Sequence, residues 1–130
     1  MLSKWLTSLE ENGVKVETVI EKTELVEGDI LNGSVYVTTL TEDEEDKIDY
    51  ISLKVLCEEM DGELSIVGKH SFQLVGGIRS KDGEIIPFEI IPDERWVCGK
   101  DEQLILQTTV VFLDGVAIEE QGVISYSAIE

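Results

Sequence analysis

The stretch GEIIPFEIIPDE, residues 83–94, contains the only two prolines of this chain, Pro87 and Pro92. Apolar residues alternate along it, which places Phe88 and the isoleucines two positions to either side on one face of a strand. Proline has no N–H to donate to a sheet ladder. Pro87 therefore fits a strand only at a sheet edge, at a strand start or at a bulge, and we expect Pro92 to end the strand. The stretch predicts an edge or bulged strand with Phe88 in the core.

The same period of two runs through most of the chain after residue 13. In the segment that begins at Ile48, for example, Ile51, Leu53, Val55 and Cys57 share one face. Further strand-like segments begin at Val14, Gly33, Glu63, Glu84, Gln103 and Val123, and turn sequences separate them at Glu27-Gly28-Asp29, Asp61-Gly62, Gly76-Gly77, Asp82-Gly83 and Asp114-Gly115. Seven or more short strands in one small domain predict an all-β, antiparallel, immunoglobulin-like β-sandwich.

Residues 1–13, MLSKWLTSLEENG, have a different spacing. Leu2, Trp5, Leu6 and Leu9 recur at helical intervals, Ser3 can cap the first turn, and a glycine closes the segment. The segment is too short to span a bilayer and lacks the features of a signal peptide. We therefore predict a short amphipathic N-terminal helix, which either docks on its own domain or contacts a partner or membrane, followed by a sandwich over residues 14–130.

The charge of the chain restricts its partners. Ten basic and twenty-eight acidic residues among 130 give a net charge of −18. Such a surface repels phosphate backbones and anionic lipid heads, which argues against nucleic acid and direct membrane binding. A protein partner with a basic surface is favoured, although excess charge that serves only solubility explains the composition equally well.

The densest acidic run is TEDEEDK, residues 41–47, between two predicted strands. Like charges oppose a strand ladder but suit a solvated loop, and the run has neither the alternation nor the glycine of a calcium loop. A solvated loop is favoured over a weak divalent-ion site. Its acidic residues are candidates for contacting a partner: Glu42, Asp43, Glu44, Glu45 and Asp46.

The sequence contains no recognised catalytic or metal-binding motif. The single histidine, His70, lies in a strand-like stretch without a nucleophile motif, and Cys57 and Cys98 are far apart with no CxxC spacing. Two buried reduced thiols are favoured over a disulfide or a metal pair. The sequence predicts no cofactor and no metal, and it favours a binding or scaffolding module over an enzyme.

The run VKVETVIEKTELVEGDILNGSVYV, residues 14–37, resembles the opening of bacterial sporulation-control proteins that have an arrestin-like fold. In that family an N-terminal helix leads into a strand, a Pro-Gly-Glu-type turn and a strand that starts with glycine. Here Glu27-Gly28-Asp29 stands at the turn and Gly33 begins the second strand, while Val26 replaces the usual proline. The stretch from Lys47 and the Ile-Pro-Phe segment around Pro87 resemble later strands of the arrestin-type amino-terminal domain.

The resemblance implies a cytoplasmic, non-enzymatic regulator of sporulation that acts through protein contacts. Since the family carries two tandem sandwiches, residues 14–130 are either the first of two domains in a longer protein or a single-domain relative. Two other functions remain open: a self-assembling structural subunit, such as a homodimer with paired sheet edges, and an accessory module that binds carbohydrate or ions.

Overall fold

A computed structural model describes residues 4–11, 14–39, 48–73, 84–97, 102–112 and 115–127 of the chain. These residues form β-strands almost throughout, with a single three-residue 3-10 turn, η1, and no α-helix among them. The strands are β1 (Lys4–Glu11), β2 (Val14–Ile20), β3 (Glu24–Val26), β4 (Leu31–Thr39), β5 (Ile48–Glu58), β6 (Leu64–Gln73), β7 (Glu84–Ile90), β8 (Gln103–Phe112) and β9 (Ala117–Ser127), and η1 spans Glu94–Trp96. The prediction of an all-β fold is confirmed.

The strands form two sheets. The first has the order β1-β2-β4-β7, and the second has the order β3-β9-β8-β5-β6. Neighbouring strands are antiparallel except for β3 and β9, which pair in parallel through residues 24–26. After β2 the chain therefore crosses from the first sheet to the second, adds the short β3, and returns to the first sheet as β4.

One hydrophobic core joins the two sheets. It contains inward-facing residues of β2, β4 and β7 together with inward-facing residues of β5, β8 and β9. The four residues that were predicted to share a face of β5, Ile51, Leu53, Val55 and Cys57, are all buried in it. Phe88 and Ile90 are buried there as well, while Ile86 packs against the cluster. The predicted inner face of the proline-containing strand is thus confirmed.

The facing sheets also share a buried polar contact. The hydroxyl oxygens of Thr18 on β2 and Thr108 on β8 lie 2.8 Å apart, and both residues are completely buried. A buried hydroxyl is costly unless it is hydrogen-bonded. The pair satisfies both hydroxyls and ties one sheet to the other at the centre of the core.

The strand β7 is an edge strand, as Pro87 predicts. Pro87 lies opposite Ser34 of β4, and the register continues through it without a shift. The proline nitrogen therefore faces the open edge, where no neighbouring strand needs a donor. The strand ends at Ile90, two residues before Pro92.

The predicted N-terminal helix is wrong. Residues 4–11 form β1, which pairs antiparallel with β2 and places Leu9 opposite Val16. A helix this short is marginal in water, because its few hydrogen bonds scarcely offset the cost of nucleation. Pairing with β2 supplies hydrogen bonds to a strand that would otherwise be an edge of the sheet. This tertiary contact outweighs the helical spacing of the apolar residues, so the segment forms a strand.

The turn predictions are confirmed where the structure describes them. Gly28, Gly62 and Gly115 adopt positive φ angles of 98°, 89° and 93°. Because side chains rarely tolerate this conformation, glycine is the residue these turns require. The predicted turns at Gly76-Gly77 and Asp82-Gly83 lie outside the described residues.

Candidate functional site

The predicted partner-contact residues Glu42, Asp43, Glu44, Glu45 and Asp46 lie outside the described residues, as does Cys98. The described chain brackets the acidic run, because β4 ends at Thr39 in the first sheet and β5 begins at Ile48 in the second. The run therefore connects the two sheets. Its role as a partner contact stays a prediction.

The other residues considered for chemistry lie in packed surroundings. The ring of His70 lies 4.7 Å from the ring of Phe72, centroid to centroid, and Cys57 is buried in the core. The hydrogen bonds and ion pairs between described residues bring no nucleophile or carboxylate to the His70 ring. Within the described part of the chain, His70 therefore has the surroundings of a packing residue.

The turn η1 covers the edge of the second sheet at β6. Arg95 Nη2 and the indole Nε1 of Trp96 each donate a hydrogen bond to the carbonyl oxygen of Val67, both at 3.1 Å. A register shift near Val67 marks a bulge in β6. Trp96 is fully buried, and a Cβ at Gly68 would lie only 3.1 Å from its ring. A side chain at position 68 would thus displace the indole that covers this edge.

Asp93 holds η1 in place from its N-terminal end. Its carboxylate accepts hydrogen bonds from the backbone N–H of Arg95 at 2.8 Å and from the Arg95 guanidinium at 2.7 Å. These bonds, the guanidinium first, hold the pKa of Asp93 below its usual range. The turn was not predicted from the sequence, although Asp93 itself could have indicated it, because aspartate is a preferred N-cap residue.

Three carboxylates meet at the hairpin between β5 and β6, at the turn that Asp61-Gly62 predicts. Ligand oxygens of Glu59, Asp61 and Glu63 lie within 4.8 Å of one another. The loop is held by backbone hydrogen bonds from the N–H of Glu59 to the carbonyl oxygen of Glu63 and from the N–H of Gly62 to the carbonyl oxygen of Glu59, and by one from the N–H of Glu63 to Asp61 Oδ1. Asp61 and Glu63 are exposed. Exposed carboxylates in water repel one another weakly, so turn geometry alone accounts for the cluster.

A groove of about 370 Å³ lies on the outer face of the first sheet. Its polar rim is a row across the sheet: Glu21 follows β2, Asn32 lies on β4, and Glu89 lies on β7 directly opposite Asn32. The backbone N–H of Glu21 donates to the carbonyl oxygen of Asn32 at 3.1 Å, which completes the row. We call this surface the Glu21–Glu89 groove.

The floor and far wall of the groove are less polar. Val19 and Pro87 line it in the next row of the sheet, on either side of Ser34, and Tyr36 follows two residues further along β4. Val19 is buried, whereas Tyr36 is 37% exposed. The groove thus combines a carboxylate and amide rim with an apolar floor and an accessible aromatic ring.

Two acids that do not line the groove, Glu17 and Asp29, form ion pairs with lysines. Lys15 lies 3.5 Å from Glu17, and Lys22 lies 2.8 Å from Asp29. The Lys22 hydrogen bond, with a further one from the backbone N–H of Val26, holds the pKa of Asp29 below its usual range. The ion pairs between described residues include neither Glu21 nor Glu89. Lys15 on β2 and Lys22 just after it therefore form ion pairs with acids other than those of the rim.

The asparagine of the rim is oriented by its own backbone. The side-chain nitrogen of Asn32 donates to the carbonyl oxygen of Ile30 at 3.3 Å. This contact leaves the amide oxygen as the acceptor that Asn32 can present to a ligand. The rim therefore presents acceptors from all three residues.

Local sequence patterns do not predict the groove. Strand alternation alone places Tyr36 and Glu89 on outer faces, but their neighbours depend on which strands pair and in which register. Only the pairing of β2 with β4 and of β4 with β7 brings Glu21, Asn32 and Glu89 into one row.

In the described ranges, no helix has the length and apolar character needed to cross a membrane.

Comparison with known proteins identifies similarity at the level of the fold. No protein-family model and no curated protein matches the chain. Among solved structures, the chain is similar to the crystal structure of Spo0M, a sporulation control protein from Bacillus subtilis, with a TM-score of 0.68 and 20% sequence identity. The alignment covers 92% of this chain and 51% of that chain, so this chain spans about half of that structure.

A second solved chain, pT26-6p, aligns with a TM-score of 0.47 and 12% identity over 90% of this chain and 23% of its own, which is too distant to carry an argument. On the alignment with Spo0M, the two-sheet fold of this chain is similar to that of a sporulation control protein.

Proposed function

We propose that this chain is a cytoplasmic, non-enzymatic regulatory protein that acts by binding other proteins and has a role in sporulation control. The observation that carries the proposal is the fold, which is similar to that of Spo0M over 92% of the chain. Residues 14–130 would then correspond to an arrestin-type amino-terminal domain. Fold similarity alone does not specify function, so the surface chemistry must supply the rest.

The charge supports a partner with a basic surface. At a net charge of −18, the protein attracts positive surfaces over long range and accelerates their encounter. We propose that Glu42, Asp43, Glu44, Glu45 and Asp46 contribute to this contact, because they are the densest acidic run in the chain. Nucleic acid and membrane lipid remain disfavoured for the same electrostatic reason.

The two alternative functions have less support. Edge-to-edge self-assembly requires open strand edges, and two of the four outer strands in the described sheets carry features that oppose it: Pro87 removes a donor from β7, and η1 occupies the Val67 carbonyl oxygen of β6. A carbohydrate-binding module typically presents clustered aromatic rings. Among the residues whose exposure the structure describes, the exposed aromatic rings are those of Tyr36 and Tyr50, and they lie on different sheets.

The proposal is tested with proteins captured from the native host on the wild-type chain. Each captured protein is then purified, and its affinity is measured from low to high salt. We expect affinity to fall as salt screens the charges, and to fall further when Asp43→Asn, Glu44→Gln and Glu45→Gln are combined. The matched control combines Glu24→Gln, Glu119→Gln and Glu120→Gln, which removes the same charge from exposed sites elsewhere.

A specific contact of the acidic run predicts a larger loss for the first variant than for the control. Equal losses in both variants would remove the acidic run from the contact. If neither salt nor the substitutions change the affinity, the acidic surface serves solubility alone. That result would contradict the proposed basic partner.

A further inference from the structure

The Glu21–Glu89 groove has the chemistry of a site for one positively charged side chain. Its rim consists of two carboxylates with the Asn32 amide between them, and no described lysine or arginine forms an ion pair with either carboxylate. Glu21 and Glu89 are both exposed, so a ligand at the rim has to replace the water that solvates their carboxylates. A donor with positive charge does this best, because charge-assisted hydrogen bonds are stronger than neutral ones.

The dimensions of the rim favour a broad, planar donor. Glu21 and Glu89 belong to chain segments on either side of β4, so their backbones are separated by two strand spacings, or about 10 Å. A guanidinium offers five N–H donors in a flat fork and can bond both carboxylates and the amide oxygen between them. An ammonium is a compact point charge and reaches fewer acceptors at once.

The rest of the groove fits the remainder of an arginine side chain. The exposed ring of Pro87, with the small accessible part of Val19, forms an apolar floor on which a three-carbon stem can lie. Tyr36 presents an accessible ring next to this floor, and guanidinium groups stack favourably on such rings. Rim, floor and wall therefore suit different parts of the same side chain.

We infer that the Glu21–Glu89 groove binds an arginine side chain presented by a partner protein. The inference rests on the proposed function, since it takes the occupant from a protein, and the net charge of −18 supplies the attraction that brings a basic partner to this face. The occupied groove fixes where on the acidic surface the partner docks, which long-range charge alone does not do.

The test uses a short glycine-serine peptide, capped at both ends, with one central arginine. Two matched peptides carry lysine or citrulline, the latter an uncharged analogue of nearly the same shape. Binding to the full chain is followed by backbone amide NMR, which detects affinities in the millimolar range. We expect saturable shifts at Glu21, Ser34, Tyr36 and Glu89 with arginine, weaker shifts with lysine, and none with citrulline.

Matched variants separate the groove from the general acidic surface. Glu21→Gln combined with Glu89→Gln should weaken arginine binding by about tenfold or more, since hydrogen bonds to charged groups are lost. Glu119→Gln combined with Glu120→Gln removes the same charge from exposed sites on β9 and should change binding less than about twofold. Tyr36→Leu should reduce the difference in affinity between the arginine peptide and the lysine peptide, because it removes the ring on which the guanidinium stacks. Each variant is first checked for a wild-type thermal midpoint.

Three results would overturn the inference: no saturable shift with the arginine peptide, shifts centred outside the groove, or equal losses in the two double variants. None of them bears on whether the chain has a protein partner, because that is decided by the affinity measurements on captured proteins. Conversely, the arginine peptide can occupy the groove even if no protein partner is captured, so the two failures are distinguishable.

Discussion

Phe88 and Ile85 are three positions apart on β7, yet their side chains have opposite surroundings. Phe88 is 3% exposed, whereas Ile85 is 61% exposed, because successive side chains of a strand point to opposite faces. A Cβ at Gly33 would lie 2.8 Å from Phe88 Cζ, so the ring packs directly over the glycine of the neighbouring strand. The ring therefore occupies a closely fitted position in the core.

Truncating Phe88 tests this position. We expect Phe88→Ala to reduce the free energy of unfolding by about 3–5 kcal/mol, because it removes buried surface and leaves a cavity. Urea denaturation measures the loss. Ile85→Ala on the same strand is the control and should cost much less. A loss of under about 1 kcal/mol for Phe88→Ala would place the ring outside the core.

The buried pair of Thr18 and Thr108 makes a different residue-level prediction. Thr18→Val removes one hydroxyl and leaves the other buried without a partner, which should cost about 1–3 kcal/mol. The double variant Thr18→Val with Thr108→Val replaces both hydroxyls by methyl groups of similar size. Its free energy of unfolding should be closer to that of the wild type than that of either single variant. Urea denaturation of the two single variants and the double variant gives the coupling energy. Additive losses would show that the hydroxyls do not depend on each other.

At the scale of strands, each sheet ends in edges that a second copy of the chain could extend. The edge of β7 carries Pro87, and at β6 the carbonyl oxygen of Val67 is occupied by η1. Both features remove hydrogen-bonding capacity from an otherwise open edge. Of the four outer strands in the described sheets, β7 and β6 are thus protected by different means, β7 by its own proline and β6 by a neighbouring segment.

A backbone N–H at position 87 tests whether Pro87 prevents β7 from pairing with a second copy of the chain. We expect Pro87→Thr to increase self-association, because threonine supplies the N–H that proline lacks and suits an extended strand. Sedimentation velocity over a range of protein concentrations measures the mass. Ile85→Thr introduces the same residue on the same face without adding a donor, and it should leave the mass unchanged. If Pro87→Thr has the mass of the wild type throughout, other features protect this edge.

For the whole molecule, the net charge of −18 acts on every association. Two copies of the chain repel each other, whereas a basic partner is attracted. Added salt weakens both effects, since the Debye length is about 10 Å at about 0.1 M salt. The two kinds of association should therefore respond to salt in opposite directions.

The salt dependence of self-association tests this effect of the net charge. We expect any dimerisation of the wild type or of Pro87→Thr to be weakest at low ionic strength and to strengthen as salt is added, while partner affinity falls. Light scattering across a salt series, with the protein concentration held constant, measures the first effect. Dimerisation that weakens with salt would mean that complementary charges, rather than paired edges, hold the copies together.

The positions and faces of most strands follow from the sequence alone. Alternation and turn residues act over a few neighbouring positions, so β2 and β7 begin where their patterns begin and Phe88 faces the core. Pro87 also indicates an edge without any knowledge of its neighbours, because the missing donor is a property of the residue.

Contacts between distant segments were decided only by the tertiary structure. The N-terminal segment became β1 because β2 offers it a hydrogen-bonding partner, and Trp96 is buried because Gly68 leaves space for its ring. The row of Glu21, Asn32 and Glu89 exists only through the register of three strands, which no local pattern specifies. Periodicity assigns a residue to a face, but strand pairing determines its neighbours there, and the candidate binding site of this protein depends on those neighbours.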